Sequence, residues 1–170
     1  GSVKGFAGLG FLPMFNTDNP EVRDYLTNKG LELCRMGFDA MRLDYATGPS
    51  YRFWKYFHKK LHAERPEIQL IGEVWGNMDF KPRCYIRYRL NCLRYSLQEA
   101  RQLEYVGILD GVFNFSYQYM LCDAVHKNLP KIDNQRLCKQ VKSHFKRYPV
   151  SFHLWLFLDS HLRFLCLRPS

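Results

Sequence analysis

The sequence predicts an α/β fold built on a parallel sheet, on three observations. Short apolar segments alternate with helix-like ones, the helix-like segments are long enough to serve as crossovers, and several apolar segments end in polar residues. The unit βα recurs roughly four times by this spacing. A chain of 170 residues, 46% hydrophobic and 24% charged, has the composition of one globular domain with a sizeable core.

The elements follow in order. Asn19-Pro20-Glu21 is a helix start, with an N-cap, a Pro at the first helical position and an acid in the first turn. Val22, Leu26 and Leu33 supply its apolar face and Gly37 ends it. A strand is expected over 38–44. Pro49-Ser50 then opens a second helix, whose Phe53, Trp54, Phe57 and Leu61 recur at core-facing helical spacing until Pro66 stops it. A second strand is expected over 69–73. Residues 78–105 are helical in places but show no clean capping or periodicity. Strand character returns over 107–112, and helices are expected over 117–125 and 135–145, with a turn near Pro130 and Asp133. The run 150–158 reads as one or two buried strand segments ending at Asp159.

Composition excludes several classes of function. Apolar runs such as 154–158 are too short to cross a bilayer, and no segment has the layout of a signal peptide. Cys34, Cys84, Cys92, Cys122, Cys138 and Cys166 lack the close pairing of a zinc site and the density of a disulfide scaffold. Free thiols in a reducing compartment, a cytoplasmic location and no metal site are expected. The formal charge of +9 invites nucleic acid as a partner. Much of it lies in Lys81, Arg83, Arg87, Arg89, Arg94 and Arg101, interleaved with tyrosines, and in Arg136, Lys139, Lys142, Lys146 and Arg147. The second stretch has the spacing of a solvated helix face, and neither carries a nucleic-acid-binding signature, so nucleic acid ranks last among the partners.

Three strands end in residues a buried sheet does not choose for packing. Arg42 and Asp44 lie two apart on a strand and so share one side. An Arg beside an Asp keeps the carboxylate ionised, as a nucleophile requires; on spacing alone, a structural ion pair is the simpler account. Glu73 leaves an apolar strand close to Trp75, where desolvation raises a carboxyl pKa toward general-acid use, although an exposed loop Glu fits the local sequence as well. Together the two gain weight. The ends of neighbouring parallel strands lie about 4.8 Å apart, which suits the separation of about 5–5.5 Å between the carboxyls of a retaining glycosidase. His161, after Asp159-Ser160, could bind hydroxyl groups or simply finish a strand.

These residues carry a family resemblance. Gly37-Phe38-Asp39-Ala40-Met41-Arg42-Leu43-Asp44 resembles the nucleophile motif of the α-amylase family, glycoside hydrolase family 13, and Ile71-Gly72-Glu73-Val74-Trp75 resembles its acid/base motif. Leu12 to Arg23 is similar to the segment leading into the family's fourth barrel strand. Leu109 to Phe115 is similar to its sixth strand, and Phe157 to His161 to its seventh. The resemblance implies that residues 1–170 form an incomplete (β/α)₈ catalytic barrel, roughly strands four to seven with their helices. It further implies Asp44 as nucleophile and Glu73 as acid/base. Arg42 would orient Asp44, while His161 and Trp75 would contact the sugar. The substrate would be a starch-like polysaccharide or maltooligosaccharide. No cofactor is implied beyond the calcium that a complete family enzyme often binds.

The departures are specific. Leu162 follows His161 where the family places its third carboxylate, and the first three strands and the eighth are not represented. The resemblance therefore implies a fragment with little turnover alone, and an incomplete barrel with open edges invites self-association. A non-catalytic carbohydrate-binding or assembly role stands as the alternative.

Overall fold

The computed structural model of the chain describes residues 4–6, 9–76, 85–126 and 134–157. An antiparallel pair, β1 (Gly5–Phe6) and β2 (Leu9–Pro13), precedes the first helix and was not expected from sequence. Every residue of β2 is exposed, so it lacks the apolar–polar alternation that marks a half-buried strand.

Helix α1 (Pro20–Arg35) starts as its sequence dictates, with the Asn19 side chain accepting from Glu21 N at 2.9 Å. Gly37, at φ +93°, takes the left-handed conformation that ends it. Its buried face differs from the expected one. Thr27, Gly30 and Cys34 are buried, while Leu33 is 40% exposed. Gly30 sets the approach of α1 to α2 (Tyr51–Glu64), since a Cβ there would come within 2.7 Å of the Phe57 ring. On α2, Phe53, Trp54, Phe57 and Leu61 are all buried as their spacing demands. Ser50 caps it, accepting from Phe53 N at 3.1 Å.

Four parallel strands form the sheet in chain order: β3 (Ala40–Leu43), β4 (Gln69–Gly72), β5 (Gly111–Phe113) and β6 (His153–Trp155). This is the expected α/β architecture with shorter strands. Residues 107–110 make the turn into β5 and are not themselves a strand. Among the described residues of the apolar run 150–158, only β6 is strand, with His153 and Trp155 exposed; among those residues it is an edge strand of the sheet and not a buried one.

Residues 78–105, opaque in sequence, contain α3 (Tyr85–Arg94), α4 (Leu97–Gln102) and a 3₁₀ turn (Leu103–Tyr105). A capping box of Ser96 and Glu99 starts α4. Helices α5 (Phe115–His126) and α6 (Asn134–Phe145) lead to β6. The turn expected near Pro130 and Asp133 lies outside the described residues, as do Asp159, His161 and Leu162.

The register divides the sheet into two faces. Met41, Leu43, Leu70 and Val112 join Phe53, Phe57, Leu61, Tyr105 and Phe152 in the core beneath the helices. Arg42, paired with Ile71, lies on the opposite face, and the Arg42 guanidinium sits over the Phe113 ring at 5.7 Å.

Candidate active site

β3 and β4 pair Leu43 with Gly72, so the next residues along the two strands, Asp44 and Glu73, emerge side by side at the C-terminal end of the sheet. Backbone bonds carry the pairing past the strands: Glu73 N donates to Leu43 O at 2.9 Å and Ala46 N to Glu73 O at 3.0 Å. A single nitrogen, Arg42 Nη2, contacts Asp44 Oδ1 at 2.9 Å and Glu73 Oε2 at 2.8 Å.

The two carboxylates have different surroundings. The Asp44 side chain is 64% exposed and that of Glu73 only 7%. Burial pushes the Glu73 carboxyl above its ordinary range; a hydrogen bond with Asp44 pushes the same way, and Arg42 opposes both. Burial and the neighbouring carboxylate thus favour the neutral form of Glu73, against the pull of Arg42.

Tyr45, immediately after Asp44, adopts φ +45°, a conformation a bulky side chain rarely takes. The bend aims Tyr45 N at Glu73 Oε2, 3.5 Å away. Nothing in the local sequence announces it. Helix α4 secures the loop after β4: Gln98 Nε2 donates to Val74 O at 2.5 Å, Gln98 Oε1 accepts from Gly76 N, and Arg101 Nη1 donates to Trp75 O at 2.8 Å. The Trp75 ring stacks on Phe115, centroids 4.0 Å apart. The structure thus brings Arg42, Asp44 and Glu73 together with Trp75 two residues on, and His161 lies outside the described residues. The helix clamp was missed because the segment that supplies it could not be read.

The basic stretches look different once folded. Arg101 is 5% exposed and turned inward, and Arg147 binds the buried Glu99 carboxylate. Lys139 and Lys142 on α6, and Lys146 just after it, remain exposed. Among the described residues, no helix is long and apolar enough to cross a membrane. The side-chain cluster there that could hold a metal ion, His58, His62 and Asp110, is rich in nitrogen. It does not fit calcium, which takes six to eight oxygens, so no step through calcium is derived.

Parallel strands in chain order, linked by helices and ending in charged side chains at one rim, define a segment of a (β/α)₈ barrel. No family model matches the chain. It is 38% identical over 65 residues to a maltogenic alpha-amylase of Bacillus acidopullulyticus, covering 38% of this chain and 11% of that protein. It is likewise 38% identical over 75 residues to an intracellular maltogenic amylase of Bacillus subtilis, covering 44% and 13%. Among solved structures, a cyclomaltodextrinase superposes with a TM-score of 0.68 at 25% identity, over 94% of this chain and 24% of the other. An Anoxybacillus alpha-amylase superposes at 0.64 and 22% identity, over 88% and 29%, and bears on the fold alone. The chain is thus similar to part of the α-amylase-type enzymes that these relatives and structures represent. The matched segments span about an eighth of the curated relatives.

Proposed function

We propose that the chain is a piece of a retaining glycoside hydrolase acting on α-glucosidic linkages of maltooligosaccharides or starch-like glucans. One observation carries this: a single guanidinium nitrogen bridges an exposed carboxylate and a buried one from adjacent strands. Two oxygens that share one hydrogen-bond donor are close enough for a retaining pair and too close for the wider gap of an inverting one. Asp44, the accessible member of the pair, attacks the anomeric carbon. Glu73, whose burial favours the neutral acid, protonates the leaving oxygen and then activates water. Arg42 positions both. Trp75 offers sugar the ring face not stacked on Phe115, and His161 binds hydroxyls.

Turnover by this chain alone is proposed to be low, because Leu162 stands in place of a third carboxylate and losing one preorganised charge costs about 10²–10³ in rate. The relatives named as amylases and cyclomaltodextrinase support the substrate class. The free thiols of Cys34, Cys92 and Cys138, and the name of the intracellular relative, support a cytoplasmic location. Among the described residues, no strand pairs with the outer edges of β3 and β6, which leaves them to a second copy or to further barrel strands.

An assay with maltooligosaccharides, starch, pullulan and cyclodextrins tests both parts. Weak hydrolysis that disappears in Asp44→Asn and rises in Leu162→Asp is the expected result. Vigorous Asp44-dependent turnover by the unaltered chain overturns the low activity, and activity indifferent to Asp44→Asn overturns the assignment of the nucleophile. A second reading, carbohydrate binding without catalysis, draws on the aromatic cluster of Phe113, Phe115, Trp155 and Phe157. It predicts oligosaccharide affinity unchanged in Asp44→Asn and lost in Trp75→Ala.

A further inference from the structure

The opposite, N-terminal end of the sheet carries a second constellation. Asp110 directly precedes β5, and its register places it on the helix face, under α2. His58 and His62 lie one turn apart on α2, so both rings overhang the same point. Their rings stack with centroids 4.0 Å apart, and each presents Nε2 to a different oxygen of Asp110: His58 Nε2 to Oδ1 at 3.2 Å, His62 Nε2 to Oδ2 at 2.9 Å. The three donor atoms lie within 4.8 Å of one another.

The far sides of the ligands are also fixed. His62 Nδ1 lies 2.9 Å from Pro66 O, a carbonyl that can only accept, so this nitrogen carries the ring hydrogen. A neutral ring then turns a lone pair, not an N–H, toward the Asp110 carboxylate. Asp110 Oδ2 is itself held by Leu70 N at 2.9 Å. A histidine that donates its other nitrogen to a backbone carbonyl, beside a carboxylate anchored by a backbone amide, is the outer support that metal ligands ordinarily have.

We propose that His58, His62 and Asp110 bind one first-row divalent cation of the Zn²⁺ type, fastening α2 to the lower edge of the sheet. Two imidazoles and a carboxylate are the donors such ions prefer, at bond lengths of about 2.0–2.2 Å. The side chains are 31%, 20% and 16% exposed, so a remaining coordination position can be filled by water. The site runs against the sequence-based expectation of no metal, which considered cysteine spacing alone; a His-x-x-x-His pair needs its third ligand from a distant strand, and that ligand shows only in the fold.

Co²⁺ titration followed by visible absorption, with Zn²⁺ calorimetry in parallel, tests the proposal on the whole chain with its cysteines alkylated. One equivalent of Co²⁺ with nitrogen–oxygen d–d bands is expected, together with a rise in Tm on Zn²⁺ addition. Affinity is expected to fall roughly tenfold or more in His58→Ala. His58 is partly exposed on a helix, and the circular dichroism of the apo variant confirms that it folds. Binding that is absent, that vanishes on alkylation, or that is unchanged in a folded His58→Ala/His62→Ala variant overturns the site.

Discussion

Glu73 and Glu99 are both buried carboxylates, 5% and 3% exposed, and burial is the largest influence on each, yet they shift in opposite directions. Glu73 rises because burial, with a hydrogen bond and the charge of Asp44 acting the same way, outweighs Arg42, a cation it shares with Asp44. Glu99 falls to about 2 because partners converge on it. His144 Nδ1 lies 2.6 Å from Oε1, Arg147 donates to the same oxygen, and Ser96 gives its backbone N and its hydroxyl to Oε2, each at 3.0 Å. Burial alone does not set the charge state of a carboxyl; the number of donors left to it does. The fully satisfied Glu99 fastens α4 to α6, and the under-satisfied Glu73 sits where chemistry is proposed.

Glu99→Ala should have the largest effect, because it strands buried His144 and leaves Arg147 without its buried partner. A loss of about 3–5 kcal/mol in urea unfolding is expected. Its pH dependence follows from a folded pKa below the ordinary 4.5. The stabilisation is complete above the unfolded value and drains away as pH falls from there through about 2, so the variant's acid limb should be flatter than that of the unaltered chain. Equal acid limbs would remove Glu99 as the satisfied member of the comparison.

Ser96→Ala removes a helix cap and one support of Glu99, and should cost about 1 kcal/mol by the same measurement. Glu73→Gln should move stability least and the other way. A carboxyl whose folded pKa is raised stabilises the fold when protonated and loses that contribution as pH rises, and glutamine mimics the protonated form permanently. The variant's Tm should exceed that of the unaltered chain at pH 7, with the gain fading below the ordinary carboxylate range. A lower Tm at pH 7 would show the Arg42 ion pair outweighing burial.

How much was legible in the sequence divides along similar lines. Local chemistry was readable: Asn19-Pro20 as a helix start, the aromatics of α2, and Asp44 beside Glu73 through the rule that successive parallel strands neighbour each other. The Ser96–Glu99 capping box was also written locally, but it lay in a stretch without clear periodicity and went unread. Leu33 was placed inside on apolarity, whereas close packing at Gly30 turned the buried face of α1 toward Thr27 and Cys34. The run around β6 was read as buried because it is apolar, but it edges the sheet. The Glu99–His144–Asn114 network joins residues tens of positions apart, and no spacing rule collects them.

The order of the sheet has a consequence for how the molecule assembles. Since β3, β4, β5 and β6 neighbour one another in the order of synthesis, each new strand finds its docking edge in the strand completed just before it. No strand of this sheet has to wait for a later one to be inserted between itself and its predecessor. The closures stay short for a parallel sheet, with Leu43 meeting Gly72 and Ile71 meeting Gly111. Growth can therefore proceed by accretion as the polypeptide leaves the ribosome, with the advancing edge sticky at every stage.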